Sequence, residues 1–271
     1  MWWEAAAILG GAGLLLGSGL AYVAVKVAVP PDPLVSAVRE QLPGANCGAC
    51  GYPGCDGLAS AMARGEAAPN ACPAGGQAVT EAVARVLGVE AGGGETKVAV
   101  VHCLGTPSVA LAAYRYDGIQ DCRAAALMPG GGPKACSHGC LGLGTCAAAC
   151  PFDALHMDVN GLPVVDRAKC TGCGICVTTC PKNVMGLVPA SQPVLVACRN
   201  TDKGPVVKKI CTVGCLGCGL CVRACPQKTI TMTNNLATIN PENCDGCGTC
   251  VAKCPAHTIV GISLQELAQV G

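Results

Sequence analysis

CLGCGLCVRACP (Cys215–Pro226) and CDGCGTCVAKCP (Cys244–Pro255) share one spacing, Cys-x2-Cys-x2-Cys-x3-Cys-Pro, and CTGCGICVTTCP (Cys170–Pro181) repeats it a third time. Three thiolates two residues apart can wrap corners of one [4Fe-4S] cubane, while the fourth, turned away by the following proline, reaches the neighbouring cluster. This crossover assigns Cys215, Cys218, Cys221 and Cys254 to one cluster and Cys225, Cys244, Cys247 and Cys250 to the next. The spacing is that of bacterial two-cluster ferredoxins, whose chemistry is one-electron transfer.

Composition agrees with this reading. The chain carries 24 Cys in 271 residues, a density found in disulfide scaffolds and metal proteins. Tight CxxCxxC runs favour a common metal centre and would strain most disulfides. Zinc ribbons use separated CxxC pairs and leave the recurrent Cys-Pro unexplained. Aromatic residues make up only 3% of the chain, so clusters would take the place of large side chains in the core. The formal charge of +1 misleads, because each oxidised cluster with four thiolates contributes about −2; five would bring the chain to about −9.

Upstream, the pattern repeats imperfectly. Cys136, Cys140, Cys146 and Cys150 match Cys211, Cys215, Cys221 and Cys225 at an offset of 75 residues, and Cys170–Cys180 match Cys244–Cys254 at an offset of 74. Two tandem modules follow, residues 97–190 and 191–271. Val101-His102-Cys103 and Val196-Ala197-Cys198 also correspond, although the first copy holds an extra segment containing Cys122. In the first module Cys150, Cys170, Cys173 and Cys176 complete one cluster. Leu143 replaces a cysteine in the other, leaving Cys140, Cys146 and Cys180; Cys136, one helical turn before Cys140, is the nearest candidate for the fourth ligand. An alternative groups Cys103, Cys122, Cys136 and Cys140. Otherwise Cys103, Cys122, Cys198 and Cys211 are left over, either as a sixth cluster or as buried thiols, the latter being the plainer reading.

At the amino terminus, Ala5–Val25 is apolar over about 21 residues, roughly 31 Å as a helix, matching a bilayer core. Trp2 and Trp3 suit one interface and Lys26 the other, with the bulk of the chain placed on the cytoplasmic side. Gly10, Gly11, Gly13, Gly17 and Gly19 would let other helices approach closely. The anchor is assigned to residues 1–29 and a proline linker to 30–33. A helical domain at 34–88 follows, with helices expected at Leu34–Leu42, Asp56–Arg64 and Gln77–Leu87. Its Cys47, Cys50, Cys55 and Cys72 can hold a separate cluster. A glycine linker spans 89–96. Further on, a strand is expected at Val98–Val101, with hairpins pairing Ala154–Asp158 with Leu162–Asp166 and Thr229–Thr233 with Leu236–Asn240. The fold class is therefore α+β: one transmembrane helix, a small helical cluster domain and tandem ferredoxin-like modules.

His102, His138, His156 and His257 read as surface or packing residues. Lys203, Lys208 and Lys209 form a basic loop, either a solvated turn or a landing point for an acidic ferredoxin. The tail Ser263–Val270 suits a packing helix. No dinucleotide or P-loop signature appears, no nucleophile has a partnered base, and nothing points to nucleic acid. Iron through these cysteines is the only metal indicated, with no flavin, NAD or haem in this chain.

The order of anchor, Cys47 domain and ferredoxin repeats resembles the RnfB family of Rnf ion-translocating electron-transport complexes, in the long form with two ferredoxin modules. The most specific words are Asn46–Cys55 (NCGACGYPGC) and Lys134–Cys146 (KACSHGCLGLGTC). The resemblance implies a relay subunit in the inner membrane, with its Fe-S domains in the cytoplasm and no active site of its own. It would accept electrons from reduced ferredoxin and pass them to membrane subunits, while other subunits reduce NAD and move Na+ or H+. A polyferredoxin serving another dehydrogenase or a corrinoid methyl-transfer system is the rival reading.

Overall fold

The computed structural model describes residues 2–27, 32–93 and 95–262. The tail expected as a helix at Ser263–Val270, the Pro30-Pro31 turn and Gly94 lie outside them.

Helix α1 (Trp2–Val27) runs slightly beyond the apolar stretch at both ends. Its leucines and isoleucine, among them Ile8, Leu9, Leu14, Leu16 and Leu20, are exposed around the whole helix. No other part of the described chain covers them, and the Trp2–Val23 window has a mean hydropathy of 1.7. A helix apolar on every side suits lipid better than water. Glu4 in its first turn and Lys26 in its last complement the helix dipole.

Helices α2 (Pro33–Gln41), α3 (Gly54–Ala63) and α4 (Gly76–Leu87) close on Val38, Leu58, Met62 and Val83. Asp32 caps α2, accepting from the Leu34 amide at 2.8 Å, and Pro33 stands where a missing N–H costs nothing.

The rest is one pattern built twice. The first half contains β1 (Lys97–Val101), α5 (Cys122–Ala126), α6 (Thr145–Ala148), β2 (Leu155–Met157), β3 (Pro163–Val165), α7 (Ile175–Thr179) and β4 (Met185–Pro189). The second contains β5 (Val194–Val196), α8 (Gly204–Ile210), α9 (Leu220–Ala224), β6 (Ile230–Thr233), β7 (Leu236–Ile239), α10 (Thr249–Ala252) and β8 (Ile259–Gly261). Each half has an inner hairpin, β2–β3 or β6–β7, close to where turn chemistry placed it. In each, the first strand also pairs antiparallel with the last: Val101 faces Met185 across β1–β4, and Val196 faces Ile259 across β5–β8. Sequence reading did not pair those closing strands, because their partners lie far apart along the chain.

Local rules explain the short helices. Gly144, Gly174, Gly219 and Gly248 precede α6, α7, α9 and α10 with φ between 71° and 82° in three cases and 68° at Gly219. That left-handed step admits glycine most readily and aims the buried Cys146, Cys176, Cys221 and Cys250 inward. At the other end of each run, the third residue after the cysteine of Cys-Pro is again left-handed: Asp153, Asn183, Lys228 and His257. His257 is thus a turn residue.

The two halves meet along a seam. Val98, Val100 and Val188 pack against Leu195 and Ile262. Across it, the Leu111 amide donates to Ile210 O at 2.9 Å and the Thr212 amide to Val109 O at 2.9 Å. His102 Nδ1 donates to Val196 O at 2.8 Å. Burial, and then Arg199, push the His102 imidazole down to about 4, so it packs as the neutral ring.

Candidate iron-sulfur sites

All 24 cysteines are free thiols, and many of them lie together around a few apolar clusters and cavities. In the helical domain Asn46 Oδ1 accepts from the Cys55 amide at 2.8 Å, tying the Cys47–Cys50 turn to the start of α3. Cys55 and Cys72 are buried against Leu58 and Met62, with Cys50 packed beside them. Burial raises the Cys72 thiol, helped by Cys50 and Cys55. With Cys47 on the same turn, we call this site I.

In the first half, Cys176 is pushed up to about 12 by burial and then by Cys170, Cys173, Cys146 and Cys150. Cys150, Cys170, Cys173 and Cys176 form site III. The second half repeats the arrangement: Cys215, Cys218, Cys221 and Cys254 line one apolar cavity, site IV, where burial drives Cys221 up to about 11. Cys250 is raised by burial and by Cys244 and Cys225; with Cys247 of the same run, we call this candidate set site V.

Site II differs from expectation. One cavity is lined by Cys122, Cys140, Cys146 and Cys180, with Leu141, Met157 and Val184 around them. Cys136, expected there, lines a different cavity. The physical reason is the extra segment of the first half. Asp121 caps α5, its Oδ1 accepting from Arg123 N at 2.7 Å and Ala124 N at 3.0 Å. The Cys122 amide then donates to Thr145 Oγ1 at 2.7 Å, which lays Cys122 beside the start of α6. Burial and then Cys122 and Cys180 push Cys146 up to about 11. Cys122 thus lines the cavity whose run lacks a cysteine at Leu143.

Cys136 joins Cys103, Cys198 and Cys211 in a cavity on the seam. The cysteines of the alternative grouping, Cys103, Cys122, Cys136 and Cys140, therefore line two cavities. The seam set has internal symmetry. Cys103 Sγ accepts from the Gly105 and Cys140 amides at 3.4 Å each; Cys198 Sγ accepts from the Asn200 and Cys215 amides at 3.4 and 3.5 Å. Cys103 pairs with Cys198, and Cys136 with Cys211, as duplicated positions. That correspondence is the signal by which the seam set could have been read from sequence.

Amides aimed at sulfur recur elsewhere. The Ala99 amide meets Cys170 Sγ at 3.3 Å, the Ala154 amide meets Cys150 Sγ at 3.4 Å and the Thr258 amide meets Cys254 Sγ at 3.4 Å. The Thr171 hydroxyl, inside the Cys170–Cys173 turn, is buried without a partner among the described residues. A neutral thiol is a weak acceptor, so this pattern suits charged sulfur. A buried thiol this reluctant to ionise loses its proton to solvent when a bound cation compensates the thiolate charge.

Among the described residues, no three His, Cys, Asp or Glu side chains converge as a chelate for a single ion. A zinc ion would need its sulfurs drawn to about 2.3 Å; a cubane, whose irons each take one thiolate, accepts sulfurs set further apart. The donor sets fit [4Fe-4S] clusters. The basic residues behave more simply: Lys203 precedes α8, while Lys208 and Lys209 occupy its last turn and face solvent.

Comparison with known proteins agrees. A family model for an Fe-S cluster domain matches residues 42–74, a 4Fe-4S binding domain matches 162–185 and a 4Fe-4S dicluster domain matches 214–258. The chain is 50% identical over 233 residues to the B-type subunit of a Na+-translocating ferredoxin:NAD+ oxidoreductase complex from Acetobacterium woodii, covering 86% of this chain and 70% of that one. It is 49% identical to the corresponding subunit of the proton-translocating complex of Clostridium ljungdahlii, covering 84% and 80%. It is also 42% identical to the B-type subunit of an ion-translocating oxidoreductase complex from Methanosarcina acetivorans, covering 87% and 89%.

Proposed function

The chain belongs to the RnfB family, the B-type subunits of ion-translocating ferredoxin:NAD+ oxidoreductase (Rnf) complexes, and from that premise we propose that it is a membrane-anchored relay holding six [4Fe-4S] clusters. Site I takes Cys47, Cys50, Cys55 and Cys72; site II takes Cys122, Cys140, Cys146 and Cys180; site III takes Cys150, Cys170, Cys173 and Cys176. Site IV takes Cys215, Cys218, Cys221 and Cys254; site V takes Cys225, Cys244, Cys247 and Cys250; the seam site takes Cys103, Cys136, Cys198 and Cys211. Bound clusters would supply one-electron transfer at low potential. Six would bring the chain to about −11, far from its formal charge.

The observation that carries the reading is that neighbouring sites share residues. Cys140 lines site II while its amide donates to Cys103 Sγ of the seam, and Cys215 lines site IV while its amide donates to Cys198 Sγ. Beyond these, the Cys-Pro crossovers join II to III and IV to V. Five sites thus form one row, III–II–seam–IV–V, with the duplication's symmetry point in its middle.

In this reading the domains divide as anchor 1–29, helical domain 34–88 and two ferredoxin-like modules at 97–190 and 191–271, each with its own apolar cluster. The Fe-S domains lie on the cytoplasmic face of the inner membrane, on a single span. Reduced ferredoxin delivers electrons to the modules, with Lys203, Lys208 and Lys209 as an attractive surface for an acidic partner. Membrane subunits receive them and, with others, reduce NAD and move Na+ or H+.

The test is anaerobic purification of the full chain in detergent, followed by metal and sulfide analysis. We expect about 24 iron and 24 sulfide per chain, no zinc, and bleaching of the visible absorbance by reduced ferredoxin. Zinc without sulfide would overturn the reading.

A further inference from the structure

Asn200 is only 2% exposed, and both ends of its side-chain amide are engaged: Oδ1 accepts from the Asp202 amide at 2.7 Å, and Nδ2 donates to Cys136 Sγ at 3.3 Å. A buried amide aimed at a neutral thiol would be poorly matched; aimed at a cluster-bound thiolate it is a charge-assisted bond. With the four backbone amides on Cys103 and Cys198, the seam sulfurs receive five well-aligned N–H donors. Among the described residues the other sites of the row have fewer donors so aligned, two each at III and V and one at IV; at site II the Gly142 and Ala147 amides approach Cys140 and Cys146, and at site V those of Gln227 and Lys228 approach Cys225, less closely aligned.

Charge adds to this. Lys134 lines the seam cavity, donates to Gly105 O and faces Cys140 and Cys211. Lys182 faces Cys136 and Cys180, and Arg199 lines the cavity edge. One carboxylate, Asp202, faces Cys136 and opposes them. Burial, which works against an extra negative charge, does not separate the sites: Cys103 and Cys136 are 8% and 9% exposed, Cys140 and Cys146 7% and 8%. Lys134 and Lys182 face site II sulfurs as well, so the aligned donors decide the order. Hydrogen bonds to sulfur and nearby positive charge both favour the more negative, reduced state.

We propose that the seam is the first site of the ferredoxin-like row to be reduced, an electron-collecting point set by Asn200 and Lys134 as positioning residues. This rests on the six-cluster reading above. One electron comes from a reduced ferredoxin-type donor, which is oxidised by one electron, and no bond or proton moves. Because the seam adjoins both site II and site IV, either module can feed it, and the electron is held at the middle of the row.

The experiment is a stepwise reductive titration of the full-length, cluster-loaded chain, followed by electron paramagnetic resonance. In the wild type the first signal to appear should belong to the seam, and Cys136→Ser should abolish it while later signals persist. Asn200→Asp keeps the acceptor for Asp202 but replaces the donor with a carboxylate; Lys134→Met removes the cation and keeps most of the stem. Each should make reduction of that first signal about tenfold less favourable, a fall of about 59 mV for one electron, with the remaining signals and an iron content near 24 unchanged. Survival of the first signal in Cys136→Ser, or an unmoved potential in both Asn200→Asp and Lys134→Met, overturns the proposal and leaves the six-cluster reading standing. A wild-type iron content near 20 overturns both.

Discussion

The Cys122 amide donates to Thr145 Oγ1 at 2.7 Å, joining a segment absent from the second half to the helix that carries Cys146. Cys122 lines the site II cavity as Cys218 lines that of site IV, and the six-cluster reading makes it the fourth ligand there. Cys122→Ser should therefore remove about four of 24 iron atoms. Leu143→Cys, placing the cysteine where the second half has it, should return them in the Cys122→Ser background. Iron and sulfide analysis of the two variants checks this, and a Cys122→Ser protein with a full complement would disprove the assignment.

The seam makes a prediction about additivity. Cys103 and Cys198 come from different halves but line one cavity. Cys103→Ser and Cys198→Ser should each lose about four iron atoms, and the double variant should lose four, not eight. Non-additivity is the mark of residues acting as a unit. If the double variant lost twice as much, the two cysteines would belong to separate sites.

How much of this was legible depends on the range of the signal. The runs at Cys170, Cys215 and Cys244 were readable because their ligands are local and each spacing is enforced by one short helix and one Cys-Pro turn. Helices α2 to α4 and both hairpins were readable for the same reason, through apolar period and turn residues. Cys122 was not, since its position rests on a hydrogen bond to Thr145 across 23 residues. Cys136 is near Cys140 in sequence, yet the chain between them turns: the Gly139 amide bonds back to Cys136 O at 3.1 Å, and the two sulfurs line different cavities. The match of Cys103 to Cys198 is visible in the repeat, but only the packing of Val98, Val100 and Val188 on Leu195 and Ile262, with the Leu111–Ile210 and Thr212–Val109 hydrogen bonds, shows that the duplicated ends meet at one seam.

Gly217 carries a prediction about stability. It sits at φ 64°, and a Cβ there would lie 2.9 Å from Asn235 O, part of the turn between β6 and β7. Gly217→Ala must both adopt the left-handed region and push that turn away, at a cost of about 1–3 kcal/mol. Gly161, at φ 74°, would meet nothing nearer than Gly142 O at 3.9 Å, so Gly161→Ala incurs the backbone term alone, about 1 kcal/mol. Thermal bleaching of the iron-sulfur absorbance should rank wild type above Gly161→Ala and Gly161→Ala above Gly217→Ala. Equal midpoints for the two variants would remove the steric argument.

Site I stands apart from the row of five, and this separates two roles. It has its own apolar cluster around Leu58 and Met62, and α2 begins within a few residues of the end of α1. Even a fully extended connection from Val27 to Asp32 reaches only about 18 Å, so the Cys47 domain remains close to the end of the membrane helix, where the membrane partners are expected. Cys50→Ala should then remove about four iron atoms and leave the ferredoxin-like halves reducible by ferredoxin at the wild-type rate. Transfer onward, followed as ferredoxin-dependent NAD reduction by the assembled complex in vesicles, should fall to background. Unchanged NAD reduction in a complex shown to lack that iron would place site I outside the route and require the halves themselves to meet the membrane subunits.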